Sequence, residues 1–188
     1  MKKGLITGGI IVGIILLVIV MISSSYNNLI NKQEEVEGKL ADISVQLERR
    51  ADLIPNLVST VKGYASHEKE IIDSITTSRE KLLNSNTPED MANANQDLTN
   101  AINNLLVIVE NYPDLKANTN FIQLQDELAG TENRIAVARK DYNDAVKSYN
   151  KEIKLFPKNI LANMFGFEQK EYFEAKESAN EVPNVSFE

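Results

Sequence analysis

FIQLQDELAGTENRIAVARKDYNDAVKSYNKEIKLF, residues 121–156, carries a large apolar residue at every seventh position: Phe121, Leu128, Ile135, Tyr142, Tyr149 and Phe156. Leu124, Thr131, Ala138 and Ala145 fill the companion positions. A sustained 3.5-residue repeat specifies a helix whose seam packs against near-antiparallel neighbours, in the manner of a coiled coil. Asn120 with Gln123 offers a capping box at its start.

Three more segments repeat the pattern. Leu29, Val36, Leu40, Ile43, Leu47 and Ile54 step by threes and fours, which is helical period and not strand alternation. Pro55 follows, and a proline inside a helix removes a hydrogen bond and clashes with the preceding turn. A break is therefore expected there, with Asp52 capping a second helix that carries Leu57, Val58, Val61, Tyr64, Ile71, Ile72, Ile75 and Leu82. Thr87-Pro88-Glu89-Asp90 opens the third: a good N-cap, a proline suited to the first turn, and acids that complement the helix dipole. Met91, Ala94, Leu98, Ala101, Leu105, Ile108 and Tyr112 form its seam until Pro113. An unbroken helix over 26–83 would reach roughly 85 Å, far longer than the third segment. The expected fold is thus all-α, an antiparallel four-helix bundle, with a kinked long hairpin as the second choice.

Ahead of these helices lies an apolar run of 18 residues, Leu5 to Ile22, preceded by Met1-Lys2-Lys3. As a helix it spans ~27 Å, enough for one crossing of a hydrocarbon core of ~30 Å. It is longer than the usual apolar core of a cleaved signal and ends in Ser23-Ser24-Ser25, a weak cleavage site. An uncleaved, single-pass signal-anchor is expected, contacting the lipid bilayer through residues 5–22. Lys2 and Lys3 on one flank, against Glu34, Glu35 and Glu37 beyond Lys32 on the other, place the N-terminus in the cytoplasm and the body outside the cell membrane. Gly9 and Gly13 form a Gly-x-x-x-Gly pair that could bring two anchors together, one route to a homo-oligomer; a general glycine enrichment of membrane helices explains the pair equally well.

The expected organisation is a Lys-rich start and anchor over 1–25, a helical body over 26–157, a short apolar segment over 158–173 packed on the end of the bundle, and a disordered tail over 174–188. In the third part Ile160, Leu161, Met164, Phe165 and Phe167 are too few to span a membrane. They either plug one end of the bundle or stand as an apolar patch for a partner. The plug is preferred, because apolar clusters are usually buried where they can be.

The net charge is −7, and two of the cations precede the anchor, so the body is more acidic still. Nucleic acid and an anionic lipid surface, both polyanions, are a poor fit for such a body. Cysteine is absent, which removes disulfides, thiolate metal sites and thiol nucleophiles. His67-Glu68 starts like a zincin motif, but position 71 is Ile and His67 is the only histidine; a metalloprotease needs a second His four residues on. A di-iron bundle fails for the same reason. No phosphate loop or nucleophile elbow occurs. No catalytic residue, metal or cofactor is expected, and an enzyme is the weakest reading.

What remains is charge on the seams. Arg50 occupies the heptad position of Leu29, Val36 and Ile43, and Glu68 that of Val61, Ile75 and Leu82. A seam charge must be paired or reach the rim. Arg49, Arg50, Arg134 and Arg139 are the candidate partners for Glu68, Glu127 and Glu132. Together they form either a register-fixing salt-bridge network or a polar pocket or partner groove.

Several of these segments resemble the LemA family of bacterial membrane proteins: Gln46-Leu47-Glu48-Arg49-Arg50-Ala51-Asp52-Leu53-Ile54-Pro55-Asn56-Leu57-Val58, Val61-Lys62-Gly63-Tyr64-Ala65-Ser66-His67-Glu68, Tyr112-Pro113-Asp114-Leu115-Lys116-Ala117-Asn118 and Thr131-Glu132-Asn133-Arg134-Ile135-Ala136-Val137-Ala138-Arg139. Tyr142-Asn143, Tyr149-Asn150, Phe156-Pro157 and Gly166-Phe167 agree too, while Ala51 stands where an aromatic is common. The resemblance implies one N-terminal anchor, a four-helix body and no known enzymatic activity. Family members are often encoded near a membrane zinc protease or predicted surface proteins, an association that points to envelope quality control and assigns no residue roles. Three functions are therefore carried forward. The first is an anchored interaction or scaffold module for an unknown envelope protein. The second is a sensor or carrier holding a small molecule near Arg50, Glu68 and Arg134. The third is the protease accessory.

Overall fold

The seams become helices in the computed structural model, which describes residues 2–65 and 67–175, with side chains from residue 8 onward. Most of the expected tail, residues 176–188, and the side chains of Lys2 and Lys3 lie outside the described residues. The helices are α1 (Lys2–Lys62), α2 (Lys69–Leu83), α3 (Pro88–Val109), α4 (Pro113–Lys116), α5 (Thr119–Glu152) and α6 (Lys158–Phe165). The described residues contain no strand.

The expected break at Pro55 does not occur: α1 runs through it. Proline leaves the carbonyl four residues earlier without its helical donor. Here that carbonyl belongs to Ala51, and Arg79 of α2 donates its Nε–H to it at 2.8 Å. A cation from another helix replaces the missing bond, so the helix has no need to stop. Asp52 is exposed within α1 and caps nothing. The interruption falls instead at residues 63–68, where Ala65 N–H still reaches the Val61 carbonyl at 2.8 Å before the chain turns into α2.

Other local signals act at or near their expected places. Thr87 Oγ1 accepts from the Asp90 N–H at 3.1 Å, and Pro88 occupies the first turn of α3. The cap of α5 lies two residues before the expected Asn120: Asn118 Oδ1 accepts from the Phe121 N–H at 3.1 Å. The heptad of α5 holds from Phe121 to Tyr149, all buried. It fails at Phe156, which lies past the end of the helix and is 81% exposed; Ile153 is the last buried residue of that seam.

The chain divides into two compact units. One comprises residues up to Lys39 with Asn143–Lys170. In it Leu29 and Val36 of α1 are buried, as are Val146, Tyr149 and Ile153, and Leu161 and Ala162 of α6. Asn150 makes a two-way bond with the extended chain that follows α6: its Nδ2 donates to the Lys170 carbonyl and its Oδ1 accepts from the Lys170 N–H, each at 2.9 Å. The side-chain amide thus serves as a stand-in for a neighbouring backbone.

The other unit comprises Leu40–Tyr142 and the chain from Glu171. Its core takes Ile43, Leu47, Ile54 and Leu57 from α1, Ile72, Ile75 and Leu82 from α2, Leu98, Ala101 and Leu105 from α3, and Phe121, Leu128 and Ile135 from α5. α2 and α3 pack against each other across a short polar loop. Phe173 is buried, and Tyr142 donates its hydroxyl hydrogen to the Glu171 carbonyl at 2.8 Å.

The first half of α1 is different. From Ile10 to Ile22 its large apolar side chains are 36–66% exposed. Among the described residues this is the one helix long and apolar enough to cross a membrane.

Candidate functional site

Arg50 projects from α1 into the core between α3 and α5, and its side chain is 4% exposed. Nη1 donates to Asn95 Oδ1 and stands against Glu132 Oε2, both at 2.5 Å. The second contact is an ion pair without the alignment of a hydrogen bond, and Arg50 Nε–H is buried with no acceptor. Burial lowers the guanidinium pKa and outweighs Glu132, which raises it. A buried cation so incompletely satisfied is weak evidence for a stabilising role. A small hollow of about 180 Å³ adjoins it, walled mainly by Leu57, Ile102, Leu105 and Leu128.

A larger surface lies along α1 and α5. One hollow, about 780 Å³ and open to solvent, is lined by polar groups including Asn56, Thr60, Gln123, Glu127 and Arg134. A shallower one, about 460 Å³, is floored by Val45, Val137 and Ala138. Val45 and Val137 are 59% and 61% exposed. Arg134 borders both hollows, its guanidinium folded back over Gly130, with Nη2 3.5 Å from where a Cβ would stand. Arg49 and Glu127 pair at 3.3 Å on the same side. That pair is half exposed and contributes little to stability.

The sequence-derived candidates therefore separate into groups. Arg50 joins Glu132, and Arg49 joins Glu127. Arg139 is exposed on α5. Glu68 is not on a seam: it precedes α2 in the interrupted segment and accepts a hydrogen bond from the Tyr112 hydroxyl at 2.7 Å. That bond is the first cause of the raised Tyr112 pKa. Nearby, Asn118 Nδ2 donates to the Tyr64 hydroxyl at 2.9 Å. Arg50, Glu68 and Arg134 thus have different neighbours and do not converge on one pocket. His67 is exposed, and among the described residues no cluster of three His, Cys, Asp or Glu could hold a metal.

Of the five apolar residues singled out in the C-terminal segment, Leu161 alone is buried; Ile160, Met164 and Phe165 are 56%, 62% and 49% exposed, and Phe167 is half-buried. Tyr26 stacks edge-on with Phe165 and Phe167, ring centroids 4.9 and 5.8 Å apart.

Asn95 is the partner that sequence reasoning missed, although it stands four residues after Met91 and three before Leu98 and so satisfies the seam spacing. Arg79 carried no such signal. Its partner is a backbone oxygen whose need arises from Pro55, 24 positions away in sequence.

Comparison with known proteins finds relatives of this sequence. A family model described as the LemA family matches residues 39–187. Magnetosome protein MamQ 2 of Paramagnetospirillum magneticum is 25% identical, with 86% of this chain and 68% of that protein aligned. Magnetosome protein MamQ of Magnetospirillum gryphiswaldense is 24% identical over the same shares. Protein LemA of Metamycoplasma hominis is 27% identical, with 80% of this chain and 69% of that protein covered.

Proposed function

Because this chain belongs to the LemA family, we propose that it is a single-pass protein of the bacterial envelope that acts by binding, as an interaction or scaffold module held at the cell membrane. Its N-terminus is cytoplasmic and its helical body extracytoplasmic. Within Leu40–Tyr142 the helical segments form an antiparallel four-helix bundle, a rigid platform suited to presenting a surface. The observation that carries the proposal is the pair of hollows along α1 and α5 that meet at Arg134, one polar and one floored by exposed valines. Such a patch, part apolar with an arginine at its centre, has the composition of a protein-binding surface.

The test is site-specific photo-crosslinking of the full-length protein in living cells. A photoreactive residue at Asn56 or Gln123 is expected to give a discrete adduct that is lost in an Arg134→Glu background. The same residue at Val107, exposed on α3, is expected to give none. Identical adducts from all three positions would overturn the proposal.

A second reading, a small-molecule sensor, is favoured by the unaccepted Arg50 Nε–H near the 180 Å³ hollow. That volume is below the range of about 300–1,000 Å³ common for ligand sites, so this reading ranks second. Thermal stabilisation by an envelope metabolite, abolished in Arg50→Met, is its expected mark.

A further inference from the structure

α6 has apolar residues on faces that point both into and out of its unit. Leu161 and Ala162 are buried, while Ile160 and Met164, one turn apart, are exposed. Just before the helix Leu155 and Phe156 are 44% and 81% exposed, and Phe165 at its end is 49% exposed. Five large apolar side chains within eleven residues are more than a water-facing surface ordinarily carries. The helix is not apolar all round, since Asn159 and Asn163 fall on one side, but Ile160 and Met164 are left uncovered by the described residues.

The position of α6 identifies that surrounding. Gly166, with φ of 75°, turns the chain back, and the Phe167 N–H bonds to the Ala162 carbonyl at 2.9 Å. This brings Phe165 and Phe167 against Tyr26. Lys158, at the other end of α6, donates to Asn28 Oδ1 at 3.0 Å. Tyr26 and Asn28 stand only four and six residues beyond Ile22, the last residue of the apolar run. Along a helix this is ~6 and ~9 Å, the depth of the headgroup layer outside the hydrocarbon core. Tyrosine is enriched at that level; Lys158 is held inward there, by Glu152 as well as by Asn28.

We propose that α6 is a second membrane contact. It lies in the headgroup layer of the bilayer that holds the anchor, with Phe156, Ile160 and Met164 dipping toward the acyl chains as an interfacial helix does. The proposal rests on the single-pass reading above. It assigns the exposed side of the apolar segment to lipid in place of a protein partner.

The test uses the full chain in vesicles of phosphatidylethanolamine and phosphatidylglycerol, with no other protein present. The chain has no cysteine, so one environment-sensitive probe can be attached at each of four single replacements: Met164→Cys, Ile160→Cys, Ile15→Cys and Glu34→Cys. Nitroxide lipids carry the quencher either near the headgroup or near the chain end. Probes at 164 and 160 are expected to be quenched at least about twofold more than that at 34, and more by the shallow nitroxide than by the deep one. The probe at 15 should show the reverse depth preference. If 15 is quenched and 164 and 160 behave like 34, α6 faces water and this inference alone falls. Blue-shifted emission at 164 without lipid quenching means that a second copy covers the patch, and the inference falls again. If 15 itself escapes quenching, the single-pass reading and this one fall together.

Discussion

Arg50 shows how one side chain can be at once conspicuous in sequence and costly in structure. Its burial lowers its pKa despite Glu132, so the ion pair does not offset the desolvation of the cation. Removing only the counter-charge should be expensive and removing the whole group should not. We expect Glu132→Ala to destabilise the protein by about 3 kcal/mol. Replacing the set together, Arg50→Met, Asn95→Leu and Glu132→Leu, should recover most of that loss. Urea unfolding in detergent micelles, followed by helical circular dichroism, checks both. Tyr142 supplies a pH test. Burial first, and then Glu171, push its pKa up to about 12. The fold therefore favours the protonated phenol over the unfolded chain, whose phenol titrates near pH ~10. Its contribution is complete below pH ~10 and disappears as pH rises through about 12. The same unfolding assay should show stability level to pH ~10 and falling above it, with a shallower fall in Tyr142→Phe.

The joint between α1 and α2 rests on a bond that proline cannot make and arginine does. Arg79→Met should cost about 1.5–3 kcal/mol, the range for a hydrogen bond to a charged donor. Pro55→Ala supplies an N–H that can take the Ala51 carbonyl, so in that background the same replacement should cost at least ~1 kcal/mol less. Equal costs in both backgrounds would remove Arg79 from the role. This joint also marks where sequence reading stops. The helical seams, the Thr87 cap and the buried heptad of α5 depend on neighbours within a few residues, and periodicity exposes them. Pro55 misled because its local penalty is real and its remedy is distant. Glu68 misled because a heptad counted through residues 63–68 assumes a helix that is not there. Of the candidate site, charge and seam position put Arg49, Arg50, Glu127 and Glu132 among the candidates, but which pairs with which is read only from the structure. The hollows do not, since a concavity is set by side chains that two helices leave apart.

The continuous helix from the exposed apolar run to Lys62 makes membrane attachment and folding parts of one element. The topology proposed from the flanking lysines can be tested on this element. Maleimide added outside intact cells should label a Glu34→Cys variant without permeabilisation, and labelling only after lysis would reverse the assigned orientation. Tyr26 is stacked with Phe165 and Phe167, so the side of α1 that carries Tyr26 is the side that carries α6. Counting ~100° per residue, Gly13 lies roughly 140° and Gly9 roughly 100° around the helix from Tyr26. Beyond the helix's own nearby backbone, no atom lies within 4 Å of a Cβ built on either glycine. Were two anchors to meet back to back at those glycines, each would carry its α6 on an outer flank, like outriggers resting on the lipid, and pairing would leave both floats in place.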